Sequence, residues 1–156
     1  MERHTANVRE IERKRGFTAI EIVIVLVIVG LVASFAMPRI STTVARDRVG
    51  RAQFVVGSQI ELAFQYAART RKPVTVTLNS STRVLTIADR ASGTPFKTLN
   101  LSQSGPYALT GATISPSAGV TIFPTGISTG AVTITLSNNA YSRTVGATIA
   151  GQVTKS

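Results

Sequence analysis

Apolar residues change their spacing twice along this chain. From Phe17 to Met37 they run almost unbroken for 21 residues, interrupted by Thr18, Glu21, Gly30 and Ser34. At about 1.5 Å per residue, a helix of that length spans about 30 Å, the thickness of a bilayer's hydrocarbon core. The run predicts a membrane-spanning helix over 17–37. Beyond it, Ala45, Val49, Ala52, Val56, Ile60, Ala63 and Ala67 recur at spacings of four and three, the apolar face of an amphipathic helix. Gly30 and Pro38 weaken the helix, by about 1 and about 3 kcal/mol respectively. Because the apolar face resumes past Pro38, the pattern predicts one rod from about Phe17 to Arg69, kinked at Gly30 and Pro38, rather than a helix that stops at Met37.

After "RTRKP" (69–73) the period shortens to two, and Pro73 marks the break. "VTVTL" (74–78) alternates apolar and polar residues, and "RVLTIA" (83–88) follows the turn-like "NSST", which predicts an antiparallel hairpin. "FKTLNL" (96–101), "ALTGATI" (108–114), "GVTIF" (119–123), "AVTITL" (131–136) and "YSRTVGATI" (141–149) read as further strands between Gly, Pro, Ser and Asn. The expected fold class is α+β: a long amino-terminal helix packed on a small antiparallel β-sheet head. Val74, Val76, Leu78, Val132, Ile134 and Leu136 should face the helix.

Charge orients this plan. The net +10 is uneven: residues 1–16 hold five Lys/Arg against three Glu, 39–72 seven against two, and 73–156 five against one. Arg13, Lys14 and Arg15 directly precede the apolar run, which keeps the amino end cytoplasmic and exports the remainder. Arg39 and Arg46 on the far side reduce that asymmetry. A cleavable secretory signal also joins a basic to an apolar region, but its apolar part is usually about 7–15 residues. "SFAMPRIS" also offers a poor small-residue cleavage site.

Composition removes most catalytic chemistry. Cysteine is absent, so disulfides and thiolate metal sites play no part. "GISTG" (126–130) satisfies the nucleophile-elbow pattern around Ser128, but His4 is the only histidine and the flanking pattern is strand-turn-strand. No metal or cofactor site is expected, because Asp89 is the head's only acid beyond the helix and a calcium site needs several oxygen ligands. Two glycosylation sequons, at Asn79 and Asn100, are of a kind common by chance in a Ser/Thr-rich chain.

Against this background "KRGFTAIE" (14–21) resembles the processing site of type IV prepilins and of type II secretion pseudopilins: a basic leader ending in glycine, then phenylalanine, with a glutamate four residues on. The resemblance implies cleavage between Gly16 and Phe17 by a prepilin peptidase, N-methylation of Phe17, and a mature chain of 140 residues beginning "FTAIE". It also implies a filament-assembly role for Glu21, whose carboxylate would pair with the new Phe17 amine of a neighbouring subunit. Locally, Thr18 and Glu21 match a capping box, worth around 1 kcal/mol. A carboxylate at the middle of a membrane helix costs about 2.5–3.5 kcal/mol, less near its end, so the cap alone is weak compensation.

"VTIFPTGISTGAVTITLSNNAYSRTVGATIAGQV" (120–153) adds a second resemblance, to the end of the GspH/FimT family of minor pseudopilins. Its features are Phe123, the Pro124-x-Gly126 turn, the hairpin around 137–140 and the closing Gly151. Members acting in DNA uptake carry arginines around that glycine, whereas here it is followed by Gln152, with Lys155 the nearby cation. Arg39, Arg46, Arg48, Arg51, Arg69, Arg71 and Lys72 lie on the helix and read instead as a solvated face or as contacts to anionic headgroups, with ion pairing between subunits and phosphate binding as the alternatives.

With the two resemblances, the pattern implies a type IV pilin-like lollipop. Residues 1–16 form a leader, 17–37 a transmembrane helix, 38–72 its periplasmic extension and 73–156 the β head. The expected function is that of a minor pseudopilin in the inner membrane, which initiates or caps a filament of type II secretion or type IV pilus biogenesis. Its partners would be the peptidase and other pilins or pseudopilins. The alternatives are a DNA-binding minor pilin of a competence system, with DNA the weaker candidate partner, or a major pilin.

Overall fold

The computed structural model describes residues 16–139 and 141–156, with the side chains of residues 36–39 excepted. Residues 1–15 of the expected leader, with the basic cluster, lie outside the described residues. The chain divides into two compact units, Met1–Arg39 and Ile40–Ser156, and one helix, α1 (Ala19–Thr70), contributes residues to both. The helix thus passes Gly30 and Pro38, as the resumed apolar face required. The proposed kink at Pro38 falls on side chains outside the described ones.

In the first unit Gly16 and Phe17 precede the helix in non-helical, exposed backbone. From Ile20 to Phe35 the large apolar side chains stand open, which in water would forfeit their burial energy, at about 25 cal/mol per Å². This segment is the one helix among the described residues that is long and apolar enough to cross a membrane.

The second unit builds its core from the helix and two sheets. The strands are β1 (Val74–Asn79), β2 (Val84–Asp89), β3 (Pro95–Asn100), β4 (Gly111–Ser115), β5 (Val120–Ile122), β6 (Val132–Asn138), β7 (Tyr141–Ala147) and β8 (Val153–Lys155). One antiparallel sheet has the order β3-β2-β1-β5 and the other β4-β6-β7-β8. The strict alternation of β1 and β6 buries Val74, Val76 and Leu78, and Val132, Ile134 and Leu136, as expected. These join Val49, Ala52, Val56, Ile60, Ala63 and Ala67 of α1 in one hydrophobic cluster. The small residues at 52, 63 and 67 let the helix axis approach the sheets closely.

Two features depart from the single sheet expected. The chain leaves the second sheet after β4, adds β5 to β1 of the first, and then returns. Gly119 makes that passage: its φ is +77°, and a side chain there would strike the carbonyl of Val76, so both conformation and space demand glycine. The last expected strand also stops at Ala147 rather than Ile149, and Gly151 (φ +81°) closes a turn onto β8. Both sequon asparagines brace turns, Asn79 Oδ1 accepting from the Ser81 and Thr82 amides at 3.0 Å each and Asn100 Oδ1 from that of Ser102 at 3.0 Å.

At the outer edge of the first sheet, β3 begins with a proline. Its register against β2 shifts between Ile87 and Ala88, so that Ile87 faces Lys97 while Ala88 faces Pro95. Phe96 is the extra residue of this bulge, and its ring stacks on Tyr66 of α1 with centroids 4.0 Å apart.

Candidate functional site

Two places carry chemistry beyond packing. The first is the start of α1. The Thr18 amide and hydroxyl both donate to Glu21 Oε2, at 2.7 and 2.8 Å, and the Glu21 amide donates to Thr18 Oγ1 at 3.3 Å. This is the reciprocal capping box expected from the sequence. It satisfies donors that a helix start otherwise leaves orphaned and gives Glu21 a fixed rotamer. The capped carboxylate sits four residues after exposed Phe17. The arrangement accounts locally for a carboxylate at this end of an apolar helix, and its assembly role stands as a proposal below.

The second place is a cleft of about 740 Å³ beside α1, lined chiefly by Arg46, Asp47, Arg51, Phe54, Tyr107 and Arg143. The helix presents Arg46, Gly50 and Phe54 at spacings of four, and β7 presents Tyr141 and Arg143 on one strand face two residues apart. Tyr141 hydroxyl accepts from Arg46 Nε at 3.1 Å and from Arg143 at 3.4 Å. The hydrogen bond from Arg46 lowers the Tyr141 phenol below its ordinary range, and that from Arg143 adds to the effect. The same contact raises the Arg46 guanidinium.

Beneath these groups Gln53 is 4% exposed. Its amide nitrogen donates to the Thr144 and Ser156 carbonyls at 2.9 Å each, and its oxygen accepts from Arg143 at 3.1 Å. A buried amide with all these partners is stabilising, whereas an unpaired one costs about 1–3 kcal/mol. Arg143 Nε is buried without a hydrogen-bond partner. Nearby, Lys155 of β8 crosses the helix at Gly57, where a side chain would collide with it, and sets its ammonium 4.8 Å from the Phe54 ring centre.

A phenol held by two guanidiniums should titrate early. In an alkaline titration followed by tyrosinate absorbance, Tyr141 is expected to ionise before an ordinary phenol, with Tyr141→Phe identifying its step and Arg46→Ala moving that step to higher pH. Because the folded-state pKa is depressed, the contact's contribution to stability appears as pH rises through that pKa and is fully present above the unfolded value. An unmoved step in Arg46→Ala would exclude the hydrogen bond as its cause.

Sequence reasoning had not assembled this cleft. Arg46 and Tyr141 are 95 residues apart, and the one local signal was the alternation of Tyr141 and Arg143. Ser128, centre of the elbow-like motif, donates to the carbonyls of Gly130 at 2.8 Å and Ile149 at 3.3 Å. It is a turn brace rather than a nucleophile. Among the described residues no group of three His, Cys, Asp or Glu is placed to hold a metal ion.

The fold is shared with solved structures. The type IV minor pilin FimU of Pseudomonas aeruginosa PAO1 superposes with a TM-score of 0.58 at 18% identity, over 71% of this chain and 90% of that one. A second crystal form of FimU gives 0.54 at 16% identity, over 69% and 91%. The minor pseudopilin EpsH from the type 2 secretion system of Vibrio cholerae gives 0.52 at 12% identity, over 70% and 96%. No protein-family model and no curated protein matches the sequence. At these identities the likeness is one of fold: a minor pilin-like and pseudopilin-like α+β chain.

Proposed function

We propose that this chain is a minor pseudopilin: a single-pass inner-membrane subunit with a cytoplasmic amino terminus and a periplasmic head. It would initiate or cap a filament in type II secretion or type IV pilus biogenesis. The observation that carries the reading is the joint occurrence of a pilin-like head with a capped, exposed apolar helix that starts just after Gly16-Phe17. In this reading residues 1–16 are a leader removed by prepilin peptidase, Phe17 is N-methylated, 17–37 span the membrane, 38–72 extend the helix and 73–156 form the head.

Several features support it. The Gly16–Phe17 bond lies in exposed, non-helical backbone, where a peptidase can draw the chain into an extended conformation. Cleavage there would create an α-amine four residues from the Glu21 carboxylate, and in hydrocarbon such opposite charges select one subunit register. Glycine and proline at 30 and 38 are proposed as the points where the rod yields as it leaves the bilayer. The chemistry of this protein is then assembly, with the peptidase acting on it.

Intact-mass measurement after co-expression with a prepilin peptidase tests the proposal. The expected product begins at Phe17 and carries one added methyl group, whereas Gly16→Val retains the leader. A full-length wild-type product, or cleavage beyond Ser34, would remove the processing claim.

A further inference from the structure

We propose that the cleft between α1 and β7 docks an acidic segment of a neighbouring subunit that is not a second copy of this chain. Residues 40–156 hold eleven Lys/Arg against three Asp/Glu, a net of +8. Like charge opposes the contact of two copies brought side by side, and a neighbour of opposite charge suits this surface better.

The cleft concentrates this demand. It gathers Arg46, Arg51 and Arg143 with Asp47 as its one lining acid. The acceptors that hold Arg143 are neutral, the Gln53 oxygen and the Tyr141 hydroxyl. Two guanidiniums therefore share one phenol oxygen where a carboxylate would serve both better, since charge-assisted bonds are roughly twice as strong as neutral ones. A cleft of about 740 Å³ admits several side chains, enough for a short stretch of glutamates or aspartates.

Nucleic acid is the competing polyanion, and the aromatic groups argue against it. Binding of single strands relies on open rings on which bases stack. Here the Tyr141 ring carries Arg46 at 5.2 Å and Arg143 at 5.8 Å, and Phe54, 65% exposed, has Lys155 over one face at 4.8 Å. Phe54 is thus one open platform beside a cation, short of the row of open rings on which successive bases stack. Carboxylates need only the guanidinium edges, which the rings hold in place.

The idea takes the source of the partner from the filament-subunit reading, but the cleft is measured independently of processing. The full, unprocessed chain in neutral detergent is titrated into a fluorescent ten-residue glutamate peptide and, separately, into duplex and single-stranded DNA. Peptide binding that falls steeply with salt is expected, weakened about five- to tenfold by Arg46→Gln with Arg51→Gln, for two partly screened ion pairs, and little changed by Arg71→Gln with Lys72→Gln. Equal weakening by both pairs would reduce the effect to general charge and overturn the proposal. So would absence of binding at low salt, or tighter binding of either DNA than of the peptide. Failure of cleavage at Gly16 would leave each of these outcomes readable.

Discussion

A chain carrying Glu21→Gln is expected to insert and be processed like the unaltered protein, yet to join filaments at least 100-fold less well. Glutamine still serves a capping box, so the helix start, with its bonds to the Thr18 amide and hydroxyl, remains formed. What disappears is the charge. If the carboxylate pairs with a Phe17 amine inside the bilayer, removing one partner costs about 3–5 kcal/mol, which is roughly 100-fold or more in subunit affinity. Glu21→Ala should fail in the same way. Thr18→Val provides the converse, losing the hydroxyl of the cap, worth about 1 kcal/mol, while keeping the acid, and it should still assemble. Crosslinking to neighbouring subunits, compared across the variants, gives the answer. Normal assembly of Glu21→Gln beside failure of Thr18→Val would assign Glu21 to the cap alone.

The second large effect concerns the head. Ile60→Ala is expected to destabilise it by about 2–5 kcal/mol, the usual cost of truncating a fully buried aliphatic side chain and leaving a cavity. Ile60 is wholly inaccessible and belongs to the cluster fed by α1 and by both sheets. For a unit of this size the melting temperature should fall by roughly 8–20 °C. Leu62, two residues on, is 49% exposed, and Leu62→Ala should stay within about 0.5 kcal/mol. Thermal unfolding of the chain in detergent, followed through the β signal, compares the two, and similar shifts would contradict the burial pattern of the helix.

That pattern was legible in the sequence because a helix repeats its inward positions at fixed spacing. The positions from Ala45 to Ala67 chosen by periodicity are all buried. β1 and β6 were equally plain, since each alternates with β-branched residues. What escaped was set by distant partners. β5 has three residues, and its place beside β1 depends on a glycine turn meeting Val76 more than 40 positions away. β8 contains one apolar residue, Val153, and is a strand because the edge of β7 accepts it and Gln53 binds the flanking carbonyls. The cleft shows the same limit, with Arg46 readable as a helix cation and Arg143 as a strand residue. Their sharing of one phenol is a property of the folded chain.

The proline, the bulge and Lys97 on β3 bear on how a β-rich head avoids the wrong kind of fibre. An open sheet edge is a template on which identical strands can stack into cross-β aggregates. Pro95 offers no amide hydrogen, the bulge at Phe96 breaks the flat ladder, and Lys97 places a charge opposite Ile87 on the strand's inward row. A second β3 laid against this edge would meet an interrupted set of donors and a repelling ammonium. This edge of the head is thereby closed to amyloid-like stacking of one copy on another.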